Sequence, residues 1–365
     1  SAEAAYPVGI GVNPAWVNPA RKACTFHARF PVHGRWVGMT PPRCILPGVP
    51  LMVTVRCTGR SFRLVPQRKV RETVLYCFAA TLAKYDILVH EYCFLSNHYH
   101  AALTALGSDL PAFLQDLNSL LSRALNALRG WSGSNFEKGY NITVEVDDKA
   151  IVRQCGYILA NPCAADLVSH IRHWKGPNSW ALDYGESIEV KRPKYGLWKP
   201  VNAAPSNKKK RRKRGWERTR ETYRGRWVTP EIATLELTRP PAHVGELSDV
   251  ELRAMIRAEA LERQTAAEAK RAGKGRKAMG MKRVLKQDWA AMPRTKEDMF
   301  GPEPKVAASS DWARKEAQQR DREFVREYRA CLRRWLAGDR DVVFPTGTYL
   351  MRRRFGVRCA NAPPG

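Results

Sequence analysis

The chain predicts an α+β fold: an antiparallel sheet with helices on one face, followed by a mainly helical, basic C-terminal module. Three observations carry this. Between Leu51 and Val146, runs with strand character and runs with helical spacing come in the order strand–helix–strand–strand–helix–strand. Beyond about residue 230, long stretches of helical periodicity take over. The net charge is +27 over 365 residues and is unevenly spread. Residues 1–200 hold 23 Lys+Arg against 14 Asp+Glu, and residues 201–365 hold 39 against 21. Such a charge favours a polyanionic partner, most simply nucleic acid. At 44% hydrophobic residues the chain can bury a sizeable core.

Residues 1 to about 45 are rich in Pro, Gly, Trp and Arg and read as an arm. Cys24-x-x-His27 with His33 lacks a fourth ligand and reads as coincidence rather than a zinc site. Nine scattered cysteines without a Cys-x-x-Cys pair suit free thiols. No apolar run approaches the ~20 residues of a membrane span. Residues 1–19 lack the basic start of a secretory leader, so a cytoplasmic, nucleoid-associated protein is expected.

From Pro50 the pattern becomes regular. Leu51–Arg56 is a β-branched strand, and Thr58-Gly59-Arg60 is a turn. Val70–Lys84 carries Val74, Leu75, Cys77, Phe78 and Leu82 at helical spacing. Tyr85–Leu95 is a strand, and Ser96-Asn97-His98-Tyr99-His100 opens the next. Leu110–Leu128 repeats leucines on one helical face, which reads as core. Ile142–Val146 alternates as a strand. Asp147 or Asp148 caps a helix running from about Lys149 to Asn161, where Pro162 disfavours continuation.

Two stretches carry chemistry. His98 and His100 lie two apart in a strand and share a face, with Tyr99 on the other. Two imidazoles so placed can hold one divalent cation. Tyr157 and Asn161 lie four apart and share a helical face, so a phenol and an amide oxygen can meet that cation together.

These residues resemble the HUH endonucleases, specifically the REP-associated tyrosine transposases and the related single-strand insertion-sequence transposases. That pattern is a strand opening with Ser/Pro-Asn-His-hydrophobic-His, then a helix bearing Tyr-x-x-x-Asn before Pro. Both occur here in that order, as Ser96–His100 and Tyr157–Pro162. The flanks agree at Leu46–Pro50, at Phe136–Tyr140 and between Trp174 and Trp180, so the resemblance spans roughly Arg43 to Trp180. It departs at Cys163-Ala164-Ala165-Asp166, where the family usually has Val-Arg-Ala-Gly. The resemblance implies a ferredoxin-like palm. It also implies Mg²⁺ or Mn²⁺ on His98, His100 and Asn161, and Tyr157 as nucleophile, leaving a 5′-phosphotyrosine on single-stranded, hairpin-forming DNA. The rivals Tyr140 and Tyr184 have no amide one helical turn away. A domesticated, non-catalytic binder of single-stranded or hairpin nucleic acid is the alternative, although a pure binder has no need of the full residue set. A zinc-dependent base deaminase lacks its motif here.

Arg56 and Arg60, beside the first strand, are candidate DNA contacts. So are the seven consecutive basic residues Lys208, Lys209, Lys210, Arg211, Arg212, Lys213 and Arg214 with the adjacent Trp216. Trp216, Tyr223 and Trp227 alternate with arginines, a pattern suited to stacking on unpaired bases. The domain reading is therefore an arm over 1–45, a transposase-like domain over 46–200, a basic linker over 201–230 and a helical module over 231–365. In the last, Ser248-Asp249-Val250-Glu251 is a capping box for a helix to Ala272, stopped at Gly273-Lys274-Gly275. Met281–Trp289 is a shorter amphipathic segment, and Met292–Ser310 a loop. Asp311–Leu336 is a second long helix with Trp312, Phe324, Tyr328, Leu332 and Trp335 as its buried stripe. An irregular basic tail follows from Phe344. Whether the chain acts as a monomer or a homodimer is left open by the sequence.

Overall fold

In the computed structural model, residues 42–198, 229–293 and 305–360 are described. Most of the N-terminal arm, the Cys24/His27 fragment, the basic run Lys208–Arg214 and Trp216 lie outside these residues.

Strand β1 (Pro50–Arg56) is followed by helix α1 (Arg68–Leu82), strands β2 (Ile87–Phe94) and β3 (His98–Ala105), helix α2 (Leu110–Arg129) and strand β4 (Asn141–Glu145). The sheet order is β2-β3-β1-β4, with every neighbour antiparallel. This is the ferredoxin-like arrangement: α1 carries the chain past a gap that β3 then fills, and α2 returns it to the far side of β1. Period-two alternation divides the sheet into two faces. Val53, Val55, Phe94 and Tyr99 point to α1 and α2, where Phe94 stacks on Tyr99 at 4.7 Å and meets Phe78 at 5.6 Å. The two palm helices thus lie on one face, as the pattern predicts.

The opposite face is covered by α3 (Asp148–Ala164) and by α4 (Asp249–Ala272), which packs along α3. Asp147 caps α3 by accepting from the Ala150 amide at 2.9 Å. Pro162 does not end this helix, contrary to expectation: it lies within the last turn. Only one backbone bond is lost there, and the turn is held from outside. The Arg271 guanidinium donates to the Cys163 carbonyl at 2.7 Å, and Cys163 is fully buried. Helix α4 carries the expected capping box between Ser248 and Glu251.

Residues 229–360 do not stand apart from the palm; they and the residues from 42 onward form one compact unit. Strand β5 (Ser187–Lys191) pairs with β6 (Ile232–Glu236) in a second sheet, and the Thr238 amide donates to Val89 beside the β2 bulge. Within the stretch expected to be a loop, β7 (Val306–Ala307) adds a parallel edge strand to β4. The segment from Met281 forms only the short helix α5 (Met281–Val284).

Helix α6 (Asp311–Leu336) has the expected bounds, but its apolar stripe is buried only in part. Phe324 is buried, whereas Trp312 is 72% exposed. The partner surface explains this. Val342, Phe344 and Met351 cluster against Tyr328, Leu332 and Trp335 at the C-terminal half of the helix, leaving its first turn uncovered. The tail expected to be irregular contains helix α7 (Leu350–Phe355), whose Phe355 ring meets Trp335 at 4.9 Å.

Candidate active site

His98 opens β3 opposite Arg56, and His100 lies between Thr54 on β1 and Cys93 on β2. Both imidazoles face α3, with ring centroids 4.8 Å apart and planes at 85°. Tyr99 points the other way, where its hydroxyl donates to Asn118 Oδ1 at 2.9 Å. The strand spacing therefore delivers the histidine pair as expected.

Hydrogen bonds orient both rings. His98 Nδ1 lies 2.7 Å from Asn97 Oδ1. A carbonyl oxygen only accepts, so Nδ1 carries a proton, and in the neutral imidazole Nε2 is then the lone-pair nitrogen. His100 Nδ1 lies 2.8 Å from Thr54 Oγ1, and its buried Nε2 has no hydrogen-bond partner. Burial, and to a lesser degree the charges of His98 and Arg56, holds His100 well below the usual imidazole range. It is a neutral imidazole at neutral pH, the form that donates to a cation.

Helix α3 brings the nucleophile candidate to the same place. The Tyr157 ring lies 5.4 Å from that of His100, at 73°. Burial raises the Tyr157 hydroxyl above the ordinary phenol range, while its hydrogen bond to the Asn161 amide and the charges of Arg263 and Arg56 pull it back. Asn161 is itself buried. The four expected residues thus form a chain of contacts, His98 to His100, His100 to Tyr157 and Tyr157 to Asn161.

Two neighbours escaped sequence reasoning. Arg263 of α4 lies with its guanidinium carbon 5.9 Å from the Tyr157 ring centroid, held by Glu259 at 2.7 Å. Gly156 permits that approach, because a Cβ there would sit 2.4 Å from Glu259 Cγ. No local pattern marks either residue, since their roles depend on how α4 docks. The remaining candidates separate. Arg56 faces His98 in register, and its charge is felt at both His100 and Tyr157. Arg60 sits in the following turn with φ +55°. Tyr184 is buried and donates to Glu91, and Tyr140 lies under Arg43 with the guanidinium carbon 4.4 Å from its ring.

Further along the same sheet face, Glu145 is buried with both carboxylate oxygens unpartnered, and burial pushes it up to about 8. The unfolded chain ionises this group near its ordinary value, and the folded protein resists doing so. Folding is therefore opposed increasingly from about pH 4.5 to 8, and fully above that. Glu145→Gln should melt like the parent protein at pH 4. It should gain stability towards pH 9 by up to ~4 kcal/mol, measured by thermal unfolding across pH. A pH-independent difference would show that Glu145 is not the titrating group.

Among the described residues, no three His, Cys, Asp or Glu side chains converge on one point. Two imidazoles beside one amide remain, a donor set that suits a divalent cation with open positions. No helix among these residues is long and apolar enough to cross a membrane. No protein-family model matches the chain, and no curated protein does. Among solved structures, the chain is similar to a REP-associated tyrosine transposase bound to a REP hairpin. The TM-score is 0.36 at 14% identity, over 40% of this chain and 85% of that one.

Proposed function

We propose that this protein is a metal-dependent single-stranded DNA endonuclease and strand transferase, working through a 5′-phosphotyrosine at Tyr157 on hairpin-forming repeats. The observation that carries this reading is the buried, unpartnered Nε2 of His100, set between His98 and the Tyr157 ring. A buried ring nitrogen without a partner is costly, and in the tautomer whose Nδ1–H donates to Thr54 a cation at Nε2 resolves it. His98 and His100 would hold Mg²⁺ or Mn²⁺ through Nε2, with the Asn161 amide oxygen as third donor. When bound, the metal offsets the charge on a non-bridging phosphate oxygen, which otherwise repels a nucleophile.

The chain's own residues do the rest. The contact with Asn161 fixes the direction of the Tyr157 hydroxyl. Burial keeps the hydroxyl protonated at neutral pH, and the positive charges of Arg263 and Arg56 favour its loss of the proton. The phenolic oxygen attacks phosphorus, the O–P bond forms, and the bond to the 3′ oxygen breaks. That oxygen takes up a proton and leaves as a 3′-hydroxyl. The energy of the broken bond is kept in the phosphotyrosine, so a second 3′-hydroxyl can reverse the step and join a strand without ATP. The net charge of +27 suits the substrate.

The test is cleavage of hairpin-flanking single-stranded DNA, with products run on a denaturing gel. His100→Ala should lower cleavage at least ~100-fold while leaving DNA affinity within a few fold, because phosphate contacts elsewhere supply most of the binding. Excess EDTA should do the same to the parent protein. Full activity in His100→Ala or in EDTA would remove the metal from the reading.

A further inference from the structure

A second cluster lies at the end of the sheet from which His98 projects. Arg63 follows the turn after β1, and its neighbour Leu64 donates its amide to the Ser96 carbonyl at 2.8 Å, two residues before His98. Helix α2 ends nearby at Arg129, and Gly130 turns the chain at φ +62° to present Trp131. Trp289 arrives beyond helix α5. The Arg63 guanidinium carbon lies 4.1 Å from the Trp131 ring centroid and 4.8 Å from that of Trp289, and Arg129 lies 4.7 Å from the latter. The two indoles meet at 5.6 Å and 62°.

Stacking of cations on indoles explains part of this arrangement. It does not explain the charge. Two guanidiniums share one ring, and no carboxylate pairs with either among the described residues. Each also leaves a buried Nη1 without a hydrogen-bond partner. One further donor of each is committed, Arg63 Nε to Ser61 Oγ at 2.8 Å and Arg129 Nη2 to the Arg63 carbonyl. Like charges held close with spare donors need an anion, and an oxyanion matches both forks. Burial and the nearby Arg63 charge hold Arg129 down at about 10, as expected for a group lacking its counter-charge. Both indoles are only partly buried, so part of each ring is open to contact by an unpaired base.

We infer that Arg63, Arg129, Trp131 and Trp289 form a binding site for one backbone phosphate of single-stranded DNA, with the adjoining base stacked on an indole. The site lies at the His98 end of the sheet and holds the strand that enters or leaves the reaction centre. It rests on the nuclease reading for the identity of its ligand but uses none of that reading's catalytic groups.

The test is fluorescence anisotropy of a labelled single-stranded oligonucleotide with the full chain, over a range of salt concentrations. Adduct formation at saturating DNA is scored separately. Arg129→Gln should weaken binding about tenfold and lower the slope of log affinity against log salt by about one. Adduct yield at saturating DNA and the melting temperature without DNA should hold. Unchanged affinity and slope, with adduct still formed by the parent protein, would overturn this site and leave the nuclease reading standing. A lowered slope with no adduct from the parent protein would do the reverse. If Arg129→Gln fails to fold, Arg63→Lys carries the test: charge is kept and the fork lost, so affinity should fall with the slope retained, and unchanged affinity would overturn the site. Displacement of the oligonucleotide by millimolar inorganic phosphate would make this a free-phosphate site and overturn the strand assignment.

Discussion

Tyr157→Phe is expected to abolish covalent capture of DNA altogether while leaving fold and hairpin binding intact. The substitution removes one oxygen. The ring keeps its edge contact with His100 at 5.4 Å, and its packing beneath α4 is unchanged. What is lost to the fold is the bond to Asn161, on the order of 1 kcal/mol. What is lost to the proposed reaction is the oxygen assigned to attack phosphorus. The parent protein should yield an adduct that survives denaturant and carries the label from the 5′ side of the cut. In the parent protein the adduct should form faster as pH rises, because burial places the hydroxyl above the ordinary phenol value and only its ionised fraction attacks readily. An adduct that persists in Tyr157→Phe would move the nucleophile elsewhere. Tyr184 is a poor heir, since it is buried and committed to Glu91. No adduct from the parent protein, with Mg²⁺ or Mn²⁺ and several hairpins tried, would leave a non-catalytic binder.

The largest effect on stability is expected at Arg253. Its guanidinium is buried and pairs with the Glu91 carboxylate, which is completely buried on β2. Ser179 and Tyr184 donate to the same carboxylate, and Arg253 Nε donates to the Leu182 carbonyl at 2.9 Å. This network ties α4 to the sheet behind α3. Arg253→Met would strip the carboxylate of its counter-charge and leave it in an apolar surround. A broken buried pair of this kind costs about 3–5 kcal/mol, which lowers the melting temperature by roughly 10 °C. Removing both charges is a different matter. The double variant Glu91→Met with Arg253→Met should recover most of the loss, because no buried charge is then stranded. A single variant within ~1 kcal/mol of the parent protein would show that water or another donor already serves Glu91.

The order of strands and helices and the pairing of the four candidate residues were legible in the sequence, for physical reasons that are local. The two-residue period of a strand puts His98 and His100 on one face whatever the rest of the chain does. The four-residue spacing on a helix does the same for Tyr157 and Asn161. Asp147, Ser248 and the apolar stripe of α2 signal their elements by short-range hydrogen bonds and periodicity. Tertiary structure decided what depends on residues far apart in the chain. That α4 covers α3, bringing Arg263 to Tyr157 and Arg253 to Glu91, depends on Gly156 allowing two helices to touch, and one glycine in a helix carries no such message. That helix α3 runs through Pro162 depends on Arg271 holding the last turn from another helix. That Trp312 stays exposed while Tyr328, Leu332 and Trp335 are covered depends on where the tail from Val342 folds back, since an amphipathic stripe states which face can be buried but not how much of its length finds a partner. Spacing along one element is written in the sequence, whereas docking between elements is a property of surfaces that exist only once the chain has folded.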